Sequence, residues 1–278
     1  MAPVRHACCI ALTVAAAADA KMTRSADGVP IRFEVSGQGS PSLVFVHGWA
    51  FDRRLWDDQV RRLSPKHRII TLDLAGHGES GRQRAQWTMA AFGDDVKAVV
   101  EAADARQVVL IGHSMGGPVV LEAARQMPAR TTGIVLVDTL FDVAQQVPPD
   151  QIDAMTKRLE TDYAGTIRQF VTEYLFAPDT PASVREQVLN HAIAIPADVS
   201  TAMLRESWVY DPLPALRDIK TPIRAVNSDK FPTNGEANRR YMPGFEAIIL
   251  RGTGHYPMLE DPDRFSRALV QALADVSR

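Results

Sequence analysis

"VVLIGHSMGG", residues 108–117, runs four apolar residues into a serine set among glycines. Gly112 stands two places before Ser114, and Gly116 and Gly117 follow it. The apolar run predicts a buried strand, and "GGPVVLEAARQM" beyond it predicts a helix, so Ser114 falls on the turn between them. In a G-x-S-x-G turn this sharp, side chains two places either side of the serine would collide with the adjoining strand and helix. Glycine is needed there for that reason. The strained turn holds the hydroxyl at the C-terminal edge of a sheet, over a helix N-terminus. Ser114 is the candidate nucleophile. A purely structural turn would use the same glycines, so the decision passes to the rest of the chain.

A serine hydroxyl is a poor nucleophile until a base takes its proton. Of the seven histidines, His6 lies in the leader-like N-terminus and His47 and His113 lie inside motifs with other work. His67, His77 and His191 fall in segments that read as surface loops or helices. His255 stands in "LRGTGHYPMLEDP" (250–262), a glycine-flanked loop after the last apolar run. In a parallel sheet such strand ends gather on one edge, so His255 can reach Ser114 and is the candidate base. An oxyanion hole needs backbone N–H groups. Met115, directly after the serine, supplies one candidate, and Trp49 in "FVHGWAFDRRLW" (45–56) supplies the other.

Short, nearly continuous apolar runs recur at 42–48, 68–74, 107–112, 133–138, 222–229 and 246–252, with an alternating run at 30–35. Runs of this kind fit strands buried on both faces. Helix candidates lie between them: "DRRLWDDQVRRL", "WTMAAFGDDVKAVVEAA" and the segment after Ser114. The alternation predicts an α/β domain with a doubly wound sheet. It breaks over residues 141–216, where no strand is predicted. "PPDQIDAMTKRLETDYAGTIRQFVTEYLF" reads there as one helix opened by Pro148-Pro149 with Asp150 as cap, and "PASVREQVLNHAIAI" as another. The predicted organisation is a core of 26–140 and 217–278 interrupted by this helical insertion. The final helix is expected to open with Asp261 as cap and Pro262 in its first turn.

The bulk composition is that of a globular enzyme-sized domain. The chain has 278 residues, 46% hydrophobic and 23% charged, with a formal net charge of -2. No basic patch points to nucleic acid. After the first twenty residues no stretch is apolar enough to span a bilayer. Residues 1–20 carry Arg5 and His6, an alanine-rich apolar run and the A-x-A site Ala18-Asp19-Ala20. They fit a short secretory signal, with export to the periplasm or medium as its consequence, or a frayed alanine-rich helix on a cytoplasmic protein. Both cysteines, Cys8 and Cys9, lie inside this run, so neither a disulfide framework nor a cysteine nucleophile is expected in the remainder. No H-x-x-x-H or C-x-x-C spacing occurs, and no metal or other cofactor is expected.

Four motifs, "HGW" (47–49), "DLAGHGES" (73–80), "GHSMGG" (112–117) and "GTGHYPMLEDP" (252–262), taken in this order, resemble the α/β-hydrolase superfamily from about Ala26 to the C-terminus. The resemblance implies an eight-stranded, mostly parallel sheet, a helical cap after the sixth strand, and a nucleophile–acid–histidine triad. It makes 141–216 the cap and gives Asp73 and its glycines a loop-shaping part. In the family the acid commonly follows the seventh strand as G-x-x-D. Here that region reads "AVNSDKFPTN" (225–234), with Asn227 for the glycine, Lys230 at the acid's place and Asp229 one place early. Some relatives put the acid at the end of the sixth strand, where Asp138 stands. Asp138 is favoured, with Asp229 the alternative.

The reaction these residues imply is hydrolysis of a small-molecule ester or lactone through an acyl-enzyme. Serine rather than aspartate at 114 argues against dehalogenase or epoxide-hydrolase chemistry, which in this family uses a carboxylate nucleophile. Two other readings stay open: a carbon–carbon bond hydrolase, and a small-molecule receptor on the same fold with slow turnover. Aromatic residues of the insertion, among them Tyr163, Phe170 and Trp208, are expected mainly to pack between cap and sheet.

Overall fold

The computed structural model describes residues 19–277. The leader-like run Met1–Ala18, with Cys8 and Cys9, lies outside the described residues, and so does most of the signal reading. Eight strands form one sheet: β1 (Asp19–Arg24), β2 (Pro30–Ser36), β3 (Ser42–Val46), β4 (Ile69–Leu72), β5 (Val108–His113), β6 (Thr131–Val137), β7 (Ile223–Ser228) and β8 (Glu246–Leu250). Their order is β1-β2-β4-β3-β5-β6-β7-β8. The β1–β2 and β2–β4 pairs are antiparallel and the other pairs parallel. β3, β4 and β5 are buried at every position, as continuous apolar strands covered on both faces should be.

β1 is the strand that sequence reading did not find. "DAKMTR" lacks apolar alternation because its side chains from Lys21 to Arg24 lie mainly in solvent at the sheet edge, with Met22 53% exposed. Main-chain pairing with β2 holds it, from Asp19 opposite Val35 to Arg24 opposite Pro30. It begins two residues inside the segment read as a leader.

Helices α1 (Asp57–Leu63), α2 (Met89–Ala102) and α3 (Gly116–Gln126) follow β3, β4 and β5. A single 3-10 turn, Arg53–Trp56, precedes α1, so "DRRLWDDQVRRL" is not one regular helix. Between β6 and β7 lie α4 (Pro149–Thr161), α5 (Tyr163–Phe170), a π-turn at Val171–Leu175, α6 (Ala182–Ala194), α7 (Ala197–Val209) and α8 (Leu213–Asp218). The long helix expected from Pro148 is broken at Asp162, whose extended backbone (φ -145, ψ 83) starts α5 and whose side chain accepts from Gly165 N. Asp150 is not the cap: it sits in the first turn of α4, and Pro148 occupies the cap position. The chain ends with α9 (Gly235–Tyr241), α10 (Pro257–Glu260) and α11 (Pro262–Val276). Asp261 caps α11 by accepting from Arg264 N, with Pro262 in the first turn. Among the described residues no helix is long and apolar enough to cross a membrane.

This topology gathers the loops after β3, β5, β6 and β8 at the C-terminal edge of the parallel strands.

Candidate active site

β5 ends at His113, and Ser114 takes a left-handed backbone (φ 54) before α3 begins at Gly116. Such a conformation costs a non-glycine residue of order 1–3 kcal/mol, and the surroundings hold it there. A Cβ on Gly112 would lie 2.2 Å from Gly116 O, and one on Gly116 would lie 2.7 Å from the carbonyl oxygens of Val46 and His47. Both clashes are with backbone, which cannot swing aside. Gly48 backs onto the same point: a Cβ there would lie 2.9 Å from Ser114 Cβ. The glycines thus press the serine turn against the loop after β3.

Ser114 Oγ lies 2.8 Å from His255 Nε2, and His255 Nδ1 lies 2.6 Å from Asp138 Oδ2. A carboxylate only accepts, so the imidazole proton sits on Nδ1, and Nε2 is left to accept from the serine hydroxyl. Asp138 is fully buried, directly follows β6 and is itself left-handed (φ 47). Its second oxygen accepts from Ser228 N at 2.5 Å, and its own N–H donates to Val226 O. The carboxylate is therefore held by the ends of two strands. Asp229 is exposed and turns elsewhere, accepting from Gly252 N at 2.7 Å. Lys230, at the place of the usual acid, donates to Phe176 O at 2.9 Å.

Of the two candidate oxyanion amides, Met115 directly follows the serine, and Trp49 directly follows Gly48, which packs against Ser114 Cβ. Met115 is the residue before α3, so its N–H belongs to the helix N-terminus. Trp49 N–H lies in the Gly48–Phe51 turn, next to the left-handed Ala50 (φ 67). Neither amide donates to an acceptor among the described residues.

The family model for the alpha/beta hydrolase family matches residues 43–268. The chain belongs to this family. It is a hydrolase, and its curated relatives include a pimeloyl-[acyl-carrier protein] methyl ester esterase of Nitrosomonas europaea, 27% identical over 84% of this chain and 96% of that protein. Among solved structures, a thermophilic esterase from Thermogutta terrifontis superposes with a TM-score of 0.80 at 25% identity, covering 94% of this chain and all (100%) of that one. An esterase from Exiguobacterium antarcticum shares the fold with a TM-score of 0.82 at 20% identity, covering 91% and 98% of the two chains.

Three further histidines of the hydrolase, His47, His77 and His113, are buried. His113 donates from Nε2 to His255 O at 2.8 Å, and its ring centre lies 4.8 Å from that of His255. Burial, with the neighbouring His255 ring, pushes the His113 imidazole down to about 3. His47 donates from Nδ1 to Gly48 O and accepts from Leu74 N at Nε2, and burial lowers it too. His77 is a correction to the sequence reading: it is only 2% exposed, packed on His47, and donates from Nδ1 to Ala75 O. Burial, then the His47 ring, pushes it down to about 3. The loop beside it is closed as expected by Asp73, which accepts from Arg53 and Glu79 N.

These neutral imidazoles make stability depend on pH. At His77 and His113 the unfolded chain takes protons below about pH 6.5 and the native protein does not until about pH 3, so stability falls as pH falls through that window. Each such histidine contributes about 1.4 kcal/mol per pH unit there. The urea midpoint is expected to drop from pH 7 to pH 5, and to drop less steeply for His77→Gln. Parallel pH curves for the two proteins would contradict this account.

Sequence reading missed the supports of the His255 loop. Glu260 accepts from Gly254 N (2.7 Å), Tyr256 N (3.2 Å) and Thr180 Oγ1 (2.9 Å). His255 N donates to Leu175 O in the π-turn at 2.7 Å. Glu260 lies within "GTGHYPMLEDP", but nothing in its spacing says that it closes this loop. Among the described residues no group of three or more His, Cys, Asp or Glu is placed to hold a metal ion.

Proposed function

We propose that the protein is a serine hydrolase of small-molecule carboxylic esters or lactones, working through an acyl-enzyme. The observation that carries this reading is the hydrogen-bonded series Ser114–His255–Asp138, at 2.8 and 2.6 Å. Ser114 Oγ attacks the ester carbonyl carbon while His255 Nε2 takes the hydroxyl proton. The carbonyl oxygen becomes an oxyanion held by the amides of Trp49 and Met115. The tetrahedral intermediate collapses, His255 returns the proton to the leaving alkoxide, and the acyl group stays on Ser114. Water then attacks the acyl carbon while His255 takes its proton; the bond to Ser114 Oγ breaks, His255 returns the proton to that oxygen, and the acid is released. Asp138 keeps the imidazole in the accepting tautomer and stabilises the imidazolium. The helices between β6 and β7 act as a cap over this edge, within the proposed limits 141–216, and shape the substrate site. The esterase names of the relatives agree with an ester substrate.

The test is turnover of p-nitrophenyl acetate, followed beyond one equivalent, with a phosphonate label mapped by peptide mass. Sustained release and labelling confined to Ser114 are expected. Release that stops at one equivalent would identify a receptor-like protein instead, and a label on another serine would move the nucleophile.

A further inference from the structure

We propose that Ser200, buried in α7, is a positioning residue for the oxyanion-binding loop and acts through the indole of Trp49. The inference rests on the reading above, in which the Trp49 amide holds the oxyanion.

The backbone alone holds that amide weakly. The turn that carries it is closed by a long bond, Phe51 N to Gly48 O at 3.4 Å, and Ala50 within it is left-handed. The indole supplies what the turn lacks. Trp49 Nε1 donates to Ser200 Oγ at 2.8 Å, and Ser200 has no exposed surface (0%). Ser200 Oγ is also hydrogen-bonded to Tyr163 Oη at 2.8 Å, and Tyr163 Oη to Ala192 O at 2.7 Å.

Counting protons fixes the direction of this series. The indole N–H can only donate and the Ala192 carbonyl can only accept. Tyr163 therefore gives its proton to Ala192 and receives one from Ser200, which receives from Trp49. Burial raises the Tyr163 phenol above its ordinary range, so it keeps the proton it must give. Every group is used, and successive bonds in such a series strengthen one another. α5, α6 and α7 are thereby joined to one atom of the loop after β3. The segment between β6 and β7 also accepts from His255 N through Leu175 O. It grips both sides of the reacting serine, and the Ser200 grip is the one a side-chain substitution can release.

Ser200→Ala removes the acceptor for the indole and frees the turn, while the folded core is otherwise retained. With p-nitrophenyl acetate, and with kcat expressed per phosphonate-titrated site, we expect kcat to fall about tenfold. That is less than deletion of an oxyanion donor costs, because the amide is misaimed rather than lost. KM should stay within about twofold, since the loss falls on the transition state. Affinity for phenylboronic acid, which forms a tetrahedral anionic adduct on the serine, should fall by a similar factor. Trp49→Phe should reproduce the loss, and the double variant should lose no more than either single one. The proposal is overturned if kcat per titrated site in Ser200→Ala stays within about twofold of the parent, or if the two substitutions multiply. Ser114→Ala in the same assay separates the two levels. If it keeps turnover, the serine-hydrolase reading itself has failed; if it is dead while Ser200→Ala is unimpaired, only the positioning role has.

Discussion

Ser114→Ala is expected to lower kcat for a p-nitrophenyl ester by about six orders of magnitude, and His255→Ala nearly as much, on the proposed triad. The two side chains share a 2.8 Å hydrogen bond, and in the proposed mechanism they act as one unit, so removing both should cost little more than removing one. The residue left at 114 must still adopt φ 54, and alanine does so no worse than serine. Thermal unfolding of Ser114→Ala should therefore match the parent closely, and the loss is chemical rather than structural. Stopped-time assays on purified variants, with far-UV circular dichroism for the fold, read both quantities. Residual activity above about one per cent in either variant, far beyond what the oxyanion amides alone supply, would remove these residues from the reaction.

Asp138→Asn is expected to lower kcat by about four orders of magnitude, and Asp229→Asn by less than about fivefold. Asparagine can keep the bond from Ser228 N through its amide oxygen, so the end of β6 stays in place. What changes is the other bond. An amide N–H directed at His255 Nδ1 makes that nitrogen an acceptor and moves the imidazole proton to Nε2. There it faces the Ser114 hydroxyl and can no longer take its proton. Asp229 has no such part: it closes the Gly252 turn from an exposed position. Measuring both variants in one assay decides between them. The reverse ranking would return the acid to the end of β7, and equal mild losses would mean that something other than a carboxylate orients His255.

The fold was largely legible because its signals are local. Continuous apolar runs bounded by turns give buried parallel strands, and β3, β5, β6 and β7 lie where such runs were read. β1 was not legible, because an edge strand held by main-chain bonds needs no apolar alternation. Two helices of the insertion, α7 and α8, were also passed over. α7 buries scattered residues, Ser200, Thr201, Met203 and Leu204, rather than a continuous apolar stripe. The break at Asp162 was hidden because an aspartate inside a helical pattern announces a cap only when its backbone is seen to be extended.

For the site, the sequence determined the residue types and the turn. A G-x-S-x-G stretch between a strand and a helix permits few backbone paths, and the clashes at Gly112 and Gly116 show why glycine had to stand there. It also determined that His255 would reach the same sheet edge, because every parallel strand delivers its C-terminal loop there. It favoured Asp138 over Asp229 only through likeness to relatives with the acid at the end of the sixth strand, since nothing in local spacing decides between them. The two residues end adjacent strands, and which one meets His255 depends on a left-handed backbone at 138 and on the end of β7 offering Ser228 N. Those are relations between strands, fixed only when the sheet is assembled. The same holds for Ser200, which lies in a helix that sequence reading passed over. Only packing of that helix over the loop after β3 brings its hydroxyl to the Trp49 indole, because a hydrogen bond across 151 positions leaves no mark in local spacing.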